Sequence, residues 1–236
     1  MSIPIFIITH NRLDVLVKSF EAVQKLEGDY TIVFTDNKSD YQPLIDWLKE
    51  RETEGFLVYW NKTPDLYNEI KNTVTKWYST NTAEYFVIMD PDVVVHGPTD
   101  ILAVLKQTLI DHPNKSRAGP IMKWDDIPDF YPLKSVRLAC CTRLYKNKPR
   151  YSMEWKEGSV TYVHSDIDTT FTMFRKGFKD FRNVHNAIVT LAPYDAIHLD
   201  YYIDPNNMSE DQMQYCMRRP KYSHWGGTRL YKFVKK

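Results

Sequence analysis

Two aspartates separated by one proline, Asp90 and Asp92, stand inside the stretch Tyr85–His96, YFVIMDPDVVVH. The apolar run from Tyr85 to Met89 reads as a buried strand, and the breakers Gly97 and Pro98 follow soon after. Such a strand delivers its two acids at its C-terminal end, where open α/β sheets place their ligands. Two close carboxylates repel each other and resist burial unless something positive lies between them. A hard divalent cation, Mg²⁺ or Mn²⁺, meets that need, because it takes oxygen ligands and leaves positions for substrate phosphates. The competing reading is a turn in which Asp90 and Asp92 cap a helix that starts near Thr99.

The elements that must position these acids can be read on either side. Ile3–Ile8 is apolar and β-branched, a first strand ending in Thr9-His10-Asn11-Arg12. Asn11 is the expected cap of a helix whose apolar positions are Leu13, Leu16, Val17, Phe20, Val23 and Leu26. Thr31–Thr35 is a second strand, closed by Asp36-Asn37-Lys38-Ser39-Asp40, and a helix through Leu44, Ile45 and Leu48 follows it. Phe56–Trp60 is a third strand, with a polar helix over Leu66 to Tyr78 behind it. Strand and helix alternate four times at close spacing, which predicts a doubly wound parallel α/β sheet. Each early strand ends in a polar cluster, and in such a sheet those ends converge on one crevice.

After Asp92 the pattern changes. A helix is expected from about Thr99 to Asp111, capped by Thr99. From Pro113 to Gly158 the chain is rich in Pro, Trp, Tyr, Lys and Asp and reads as long loops, with one or two strands near Ser135–Arg143. Val160–His164 and Thr169–Phe174 read as strands, the second half-buried because Thr170 and Thr172 alternate with Phe171 and Met173. Ser209-Glu210-Asp211-Gln212 is a capping box opening a short helix to about Met217. The tail, SHWGGTRLYKFVKK, carries His224 and two glycines and reads as a closing segment.

Composition narrows the classes. At 236 residues, 43% hydrophobic and 14% aromatic, the chain has material for one large core. A net charge of +1 offers no electrostatic argument for nucleic acid. The basic C-terminal stretch, with Arg218, Arg219, Lys221, Arg229, Lys232, Lys235 and Lys236, is the one candidate for peripheral contact with an acidic membrane. Three cysteines, two of them adjacent, favour free thiols in a reducing cytosol, so a cytoplasmic protein is expected. No segment is long and apolar enough to span a bilayer.

Taken together, PIFIITHNR, TDNKSD, VIMDPDVVV and DTTFTMFRKG resemble a GT-A glycosyltransferase of the family-2-like kind, in the order and spacing of the elements. The resemblance implies the GT-A fold for residues 1–236, a Rossmann-like, mostly parallel sheet with helices on both faces. Residues 1–98 would be the nucleotide-sugar-binding half and 99–236 the acceptor-binding half with its closing tail. It implies transfer of a sugar from a nucleoside diphosphate, UDP first among them, to a glycan or another hydroxyl acceptor. Thr9, His10, Asn11, Arg12, Asp36 and Asn37 would hold the nucleotide. Asn68 and Lys71, one helical turn apart, could share a face toward the donor. Asp90 and Asp92 would bind Mn²⁺ or Mg²⁺ on the donor diphosphate, with His224 as a third ligand. For an inverting reaction the candidate bases are Asp168, Asp195 and Asp200; a retaining reaction of the simplest form needs none. The aromatic loops from Trp124 to Trp155 suit acceptor sugars. The motif after the second strand departs from the richer D-D-G-S-x-D pattern, and no E-D pair opens a helix. A sugar-nucleotide-forming nucleotidyltransferase is the first alternative, but it should carry a Gly-rich loop where this chain has THNR. A carbohydrate-binding domain that has lost its chemistry is the second.

Overall fold

The computed structural model describes residues 2–143, 150–155, 158–181 and 184–218. Its first four β-strands and three α-helices alternate: β1 (Ile3–Thr9), α1 (Asp14–Val23), β2 (Tyr30–Asp36), α2 (Gln42–Thr53), β3 (Leu57–Trp60), α3 (Leu66–Tyr78) and β4 (Tyr85–Met89). Then come β5 (Val93–Val95), α4 (Ile101–Asp111), β6 (Arg117–Met122), α5 (Lys134–Cys141), β7 (Arg150–Trp155), β8 (Gly158–Ser165), β9 (Phe171–Arg175) and β10 (Ala187–His198). A short 3₁₀ turn, Leu199–Tyr202, and α6 (Glu210–Arg218) end the described chain.

The strands form one sheet in the order β3-β2-β1-β4-β9-β6-β10-β8-β7, with β5 paired to β10. The first four strands are mutually parallel, as the alternation requires. β9 enters antiparallel to β4, and β6 and β10 run parallel to each other. Helices cover both faces. α1, α2 and α4 pack Leu16, Phe20, Leu44, Leu102 and Leu105 on the face that carries Ile5, Ile7, Phe34 and Met89. α3 packs Ile70, Val74 and Trp77 on the face of Phe6, Ile8, Val33 and Phe86. Alternate residues of one strand thus feed two cores, which is why β1 and β4 read as unbroken apolar runs. This is the α/β sheet with helices on both faces expected from the sequence.

Several local expectations are corrected. Asn11 does not cap α1. It lies at φ 53°, and its Oδ1 accepts from the Asp40 and Tyr41 amides at the start of α2. The first amides of α1, Leu13 and Asp14, donate instead to Asp211 Oδ2, an acid from the far end of the chain, at 3.0 and 2.9 Å. α4 begins at Ile101 behind Asp100, while the Thr99 hydroxyl donates to Glu27. Ser135–Arg143 is largely the helix α5, not a strand. Arg137, Leu138 and Cys141 share its half-buried face, and Ser135, Val136 and Ala139 are exposed, a spacing only a helix satisfies. β9 is buried on both faces rather than half-buried, because it lies between β4 and β6. β6 and β7 come from the stretch read as loop, and β10 from one in which no strand was expected. β6 holds Gly119 and Pro120, and β10 is interrupted by a register shift between Thr190 and Asp195 and a cis Ala192–Pro193 bond. No helix among the described residues is long and apolar enough to cross a membrane.

Candidate functional site

Four strand ends meet at one cleft. β1 supplies His10 and Arg12, β2 supplies Asn37, the turn after β4 supplies Asp90 and Asp92, and the end of β10 supplies His198 and Asp200. Pro64, Leu66 and Tyr215 complete its walls, and its volume is about 200 Å³. A second cavity of about 280 Å³ adjoins it, lined by Met122, Arg137, Asp166, Asp168 and Tyr201. The two share Asp90 and His198.

The turn carrying the acids is clamped from both sides. The Leu199 amide donates to the Asp92 carbonyl at 2.7 Å, and His198 pairs with Val93 in the β5–β10 ladder. The Asp90 amide donates to the Thr170 carbonyl at 3.0 Å, and the Ser19 hydroxyl to the Pro91 carbonyl at 2.8 Å. This places Asp92, His198 and Asp200 so that their ligand atoms lie within 4.8 Å of one another, all buried. The His198 ring stacks on Tyr201 at 4.7 Å between centroids.

Arg12 lies among these acids. Its Nη1 donates to Asp92 Oδ2 at 2.6 Å, and its Nη2 to Asp200 Oδ1 and to Gln212 Oε1 at 3.0 Å. Burial works against the charge on Arg12, but Asp200 and Asp92 more than offset it, so its pKa rises above the ordinary value. No such hydrogen bond reaches Asp90 among the described residues, and its carboxylate is half-buried. Burial, then Asp92 and Asp168, push its pKa well above the usual carboxylate range, with Arg12 opposing. Asp200 is also raised, by burial first, with Arg12 working against the rise.

A divalent cation fits this donor set. It would find oxygen and imidazole ligands in Asp92, His198 and Asp200, with the Asp90 carboxylate lining the same cleft. His198 is a ligand candidate the sequence reading missed. It ends an apolar alternation, Ala196-Ile197-His198, whose strand character was obscured by the proline before it. Gln212 and Tyr215 were missed as well, since nothing local ties α6 to Arg12.

The remaining expected residues divide. Thr9 and Asn11 are buried beside the cleft and hold the loops behind it, and His10 Nδ1 lies 2.8 Å from the Asn37 carbonyl oxygen. The Asp36 carboxylate accepts from the Ser39 amide and hydroxyl, so it shapes its own turn, while Asn37 faces the cleft. Asn68 turns back onto Asp65 at 2.7 Å, Lys71 is exposed, and neither lines the cleft. Asp168 lines the second cavity and lies close enough to Asp90 to raise its pKa. Asp195 belongs to a different cavity, beside Lys123 and Trp124, with Oδ1 3.7 Å from His96 Nδ1. His224 and the rest of the tail lie outside the described residues.

No protein-family model matches the sequence, and no curated protein matches it. Solved structures do match. The chain superposes on residues 1–349 of TarS from S. aureus with a TM-score of 0.50 and 13% identity, covering 99% of this chain and 71% of that one. For the mannosyltransferase PcManGT from Pyrobaculum calidifontis, in complex with GDP-Man and Mn²⁺, the TM-score is 0.51 at 13% identity, over 92% and 60% of the two chains. For GalNAc-T7 with UDP, GalNAc and Mn²⁺ it is 0.55 at 14% identity, over 100% and 54%. The chain thus spans 45% of the longer TarS structure and about half of GalNAc-T7. Over its whole described length, the architecture is that of the GT-A fold these structures share.

Proposed function

We propose that this protein is a metal-dependent glycosyltransferase that moves a sugar from a nucleoside-diphosphate donor, UDP-linked in the first instance, to a hydroxyl acceptor. One observation carries the reading: two cavities meet at Asp90 and His198, the first holding Arg12, His10 and Asn37 beside Asp92 and Asp200, the second holding Asp166 and Asp168 beside Arg137 and Tyr201. The nucleotide belongs in the first. There Asn37 and His10 offer polar groups, and Pro64 and Leu66 an apolar shelf for a base. The acceptor belongs in the second.

A divalent cation held by Asp92, His198 and Asp200, with Asp90 lining the same cleft, would supply Lewis-acid stabilisation of the departing diphosphate. Arg12 offers a planar fork for phosphate oxygens. Asp168 is the acid we assign to the acceptor side, to take a hydroxyl proton in an inverting transfer or to hold sugar hydroxyls in a retaining one. Asp200 is bound to Arg12 and Asp195 lies in another cavity, so both are poorer bases. Tyr201 and Met122 offer the acceptor sugar an apolar wall. The donor mode of the mannosyltransferase and GalNAc-T7 structures, nucleotide with Mn²⁺, is consistent with this reading.

The test is calorimetric titration of UDP, GDP and dTDP with and without Mn²⁺. One nucleotide should bind tightly and only with metal. Asp92→Asn should lose that binding and slow transfer by more than about a thousandfold, since metal stabilisation is worth several kcal/mol. Normal nucleotide affinity in Asp92→Asn would remove the metal from the reading. Asp168→Asn should keep nucleotide binding and lose transfer.

A further inference from the structure

The cleft contains a cation of its own. Arg12 is buried, bridges Asp92 and Asp200 with separate arms of its fork, and donates from one arm to Gln212 at 3.0 Å. Its guanidinium carbon stands 4.7 Å from the centre of the Tyr215 ring. Gln212 and Tyr215 both come from α6, and α6 is fastened beside Arg12 by Asp211, which accepts from the Leu13 and Asp14 amides. Arg12 is therefore held in place by four residues, three of them late in the chain.

Asp92 and Asp200 are also two of the three residues whose ligand atoms converge within 4.8 Å. The same pair of carboxylates thus answers two cations. In buried surroundings a second positive charge on oxygens already bound to a guanidinium is opposed by like-charge repulsion. We propose that Arg12 is a resident counter-cation that competes with the divalent ion for the Asp92–Asp200 pair, and that α6 sets the strength of that competition through Gln212 and Tyr215. The inference rests on the metal-dependent reading above and adds to it a reason for ordered binding.

The physical sequence is as follows. Asp90, half-buried and shared by both cavities, is the open side of the site. Arg12 must release at least one carboxylate before that pair can serve a metal. A donor diphosphate in the same cleft gives the fork a destination, since phosphate oxygens match its two-pronged geometry. Cation and donor then favour each other, and the coupling is reciprocal. Mn²⁺ alone should bind weakly, because the competent form of the site is only a fraction of the molecules.

The experiment is a calorimetric titration of Mn²⁺ alone into the full chain, for the wild type, Arg12→Met and Gln212→Leu. Circular dichroism checks folding. If Arg12 holds the pair in nine molecules of ten, Arg12→Met should bind Mn²⁺ about tenfold tighter than wild type. Gln212→Leu, which loosens Arg12 without removing its charge, should shift affinity a few-fold in the same direction. Repeating the titration with UDP present should raise wild-type Mn²⁺ affinity and leave Arg12→Met little changed. Equal or weaker Mn²⁺ binding in both variants, with wild type binding measurably, overturns the proposal and makes Arg12 a support for the ligands. Should Arg12→Met fail to fold, the direction of the Gln212→Leu shift decides alone. Absence of Mn²⁺ binding in every form overturns the proposal together with the metal reading.

Discussion

The parallel half of the sheet, β3-β2-β1-β4, and the part that follows β5 build the same cleft by different means. In the parallel half each strand ends in a turn tied to its neighbour. Asn11 after β1 bonds Asp40 after β2, and Asn61 after β3 donates to Asn37 at 2.9 Å. In the later part the site residues arrive through irregular structure. β10 shifts register before it delivers His198, a 3₁₀ turn carries Asp200, and α6 reaches back across the chain to Arg12. The first half is a scaffold that closes on itself. The second is fastened to it at a few close backbone contacts, so the same small change should do far more damage there.

Glycine substitution breaks or sharpens that contrast most strongly. A Cβ on Gly97, at the end of the β5 turn, would stand 1.8 Å from the Pro193 carbonyl oxygen and 3.0 Å from its carbon. Both atoms are backbone, so no side chain can yield. Gly97→Ala should cost about 3 kcal/mol or more, loosening the β5–β10 clamp on Asp92 and with it any response to Mn²⁺. Gly28, in the parallel half, has φ +115° and open space around it. Gly28→Ala meets no clash and should cost about 1–2 kcal/mol of backbone strain. Urea denaturation of the two variants measures the difference, and equal losses would dissolve the distinction between the halves.

The same contrast explains what could be read from the sequence. α3 was bounded at Leu66 and Tyr78, as found, because its cap and apolar spacing are local. β1, β2 and β4 were legible because a strand buried on both faces is a continuous apolar run. β6 and β10 were not, because Gly119, Pro120 and Pro193 interrupt their apolar pattern. In fact Gly119 is required by a neighbour, since a Cβ there would lie 2.4 Å from the Phe171 carbonyl oxygen. The place of Asp90, Asp92 and Arg12 at the cleft was legible from strand-end position. Their division of labour was not, because the cation between Asp92 and Asp200 comes from a residue 80 positions before one acid and 188 before the other. Asn11 shows the limit of local rules: an Asn ahead of a helical pattern predicts a cap, and a distant Asp211 took that place.

Asp211 supplies a second, smaller test. It is buried, and its Oδ2 receives both leading amides of α1. Asp211→Ala should cost about 1 kcal/mol, the usual value of a lost N-cap. Because α6 also carries Gln212 and Tyr215, the variant should weaken nucleotide binding as well as stability. Asp211→Asn keeps an acceptor oxygen and should recover most of both. A loss confined to stability would separate α6 from the cleft and leave the later part a passive cover.

The smallest expected effect is the most discriminating, because it sets two neighbouring acids against each other. Burial and the nearby charges of Asp92 and Asp168 raise the Asp90 pKa well above its ordinary 3.8. The folded state therefore binds that proton more tightly than the unfolded chain does. Ionising Asp90 costs stability, and the cost grows as pH rises from 3.8 through the raised value and persists above it. Asparagine carries no charge at any of these pH values. Asp90→Asn should melt higher than wild type near neutral pH, with the gap closing as the solution is acidified toward 3.8. Mn²⁺ should reverse the order by stabilising wild type and not the variant. Asp92→Asn should move the other way from the start, since it strips a buried partner from Arg12. Thermal melts of the two variants against pH, with and without Mn²⁺, therefore carry opposite signs two residues apart. A lower melting point for Asp90→Asn near neutral pH would mean that its carboxylate is already neutralised, and the open side of the metal site would have to be sought elsewhere.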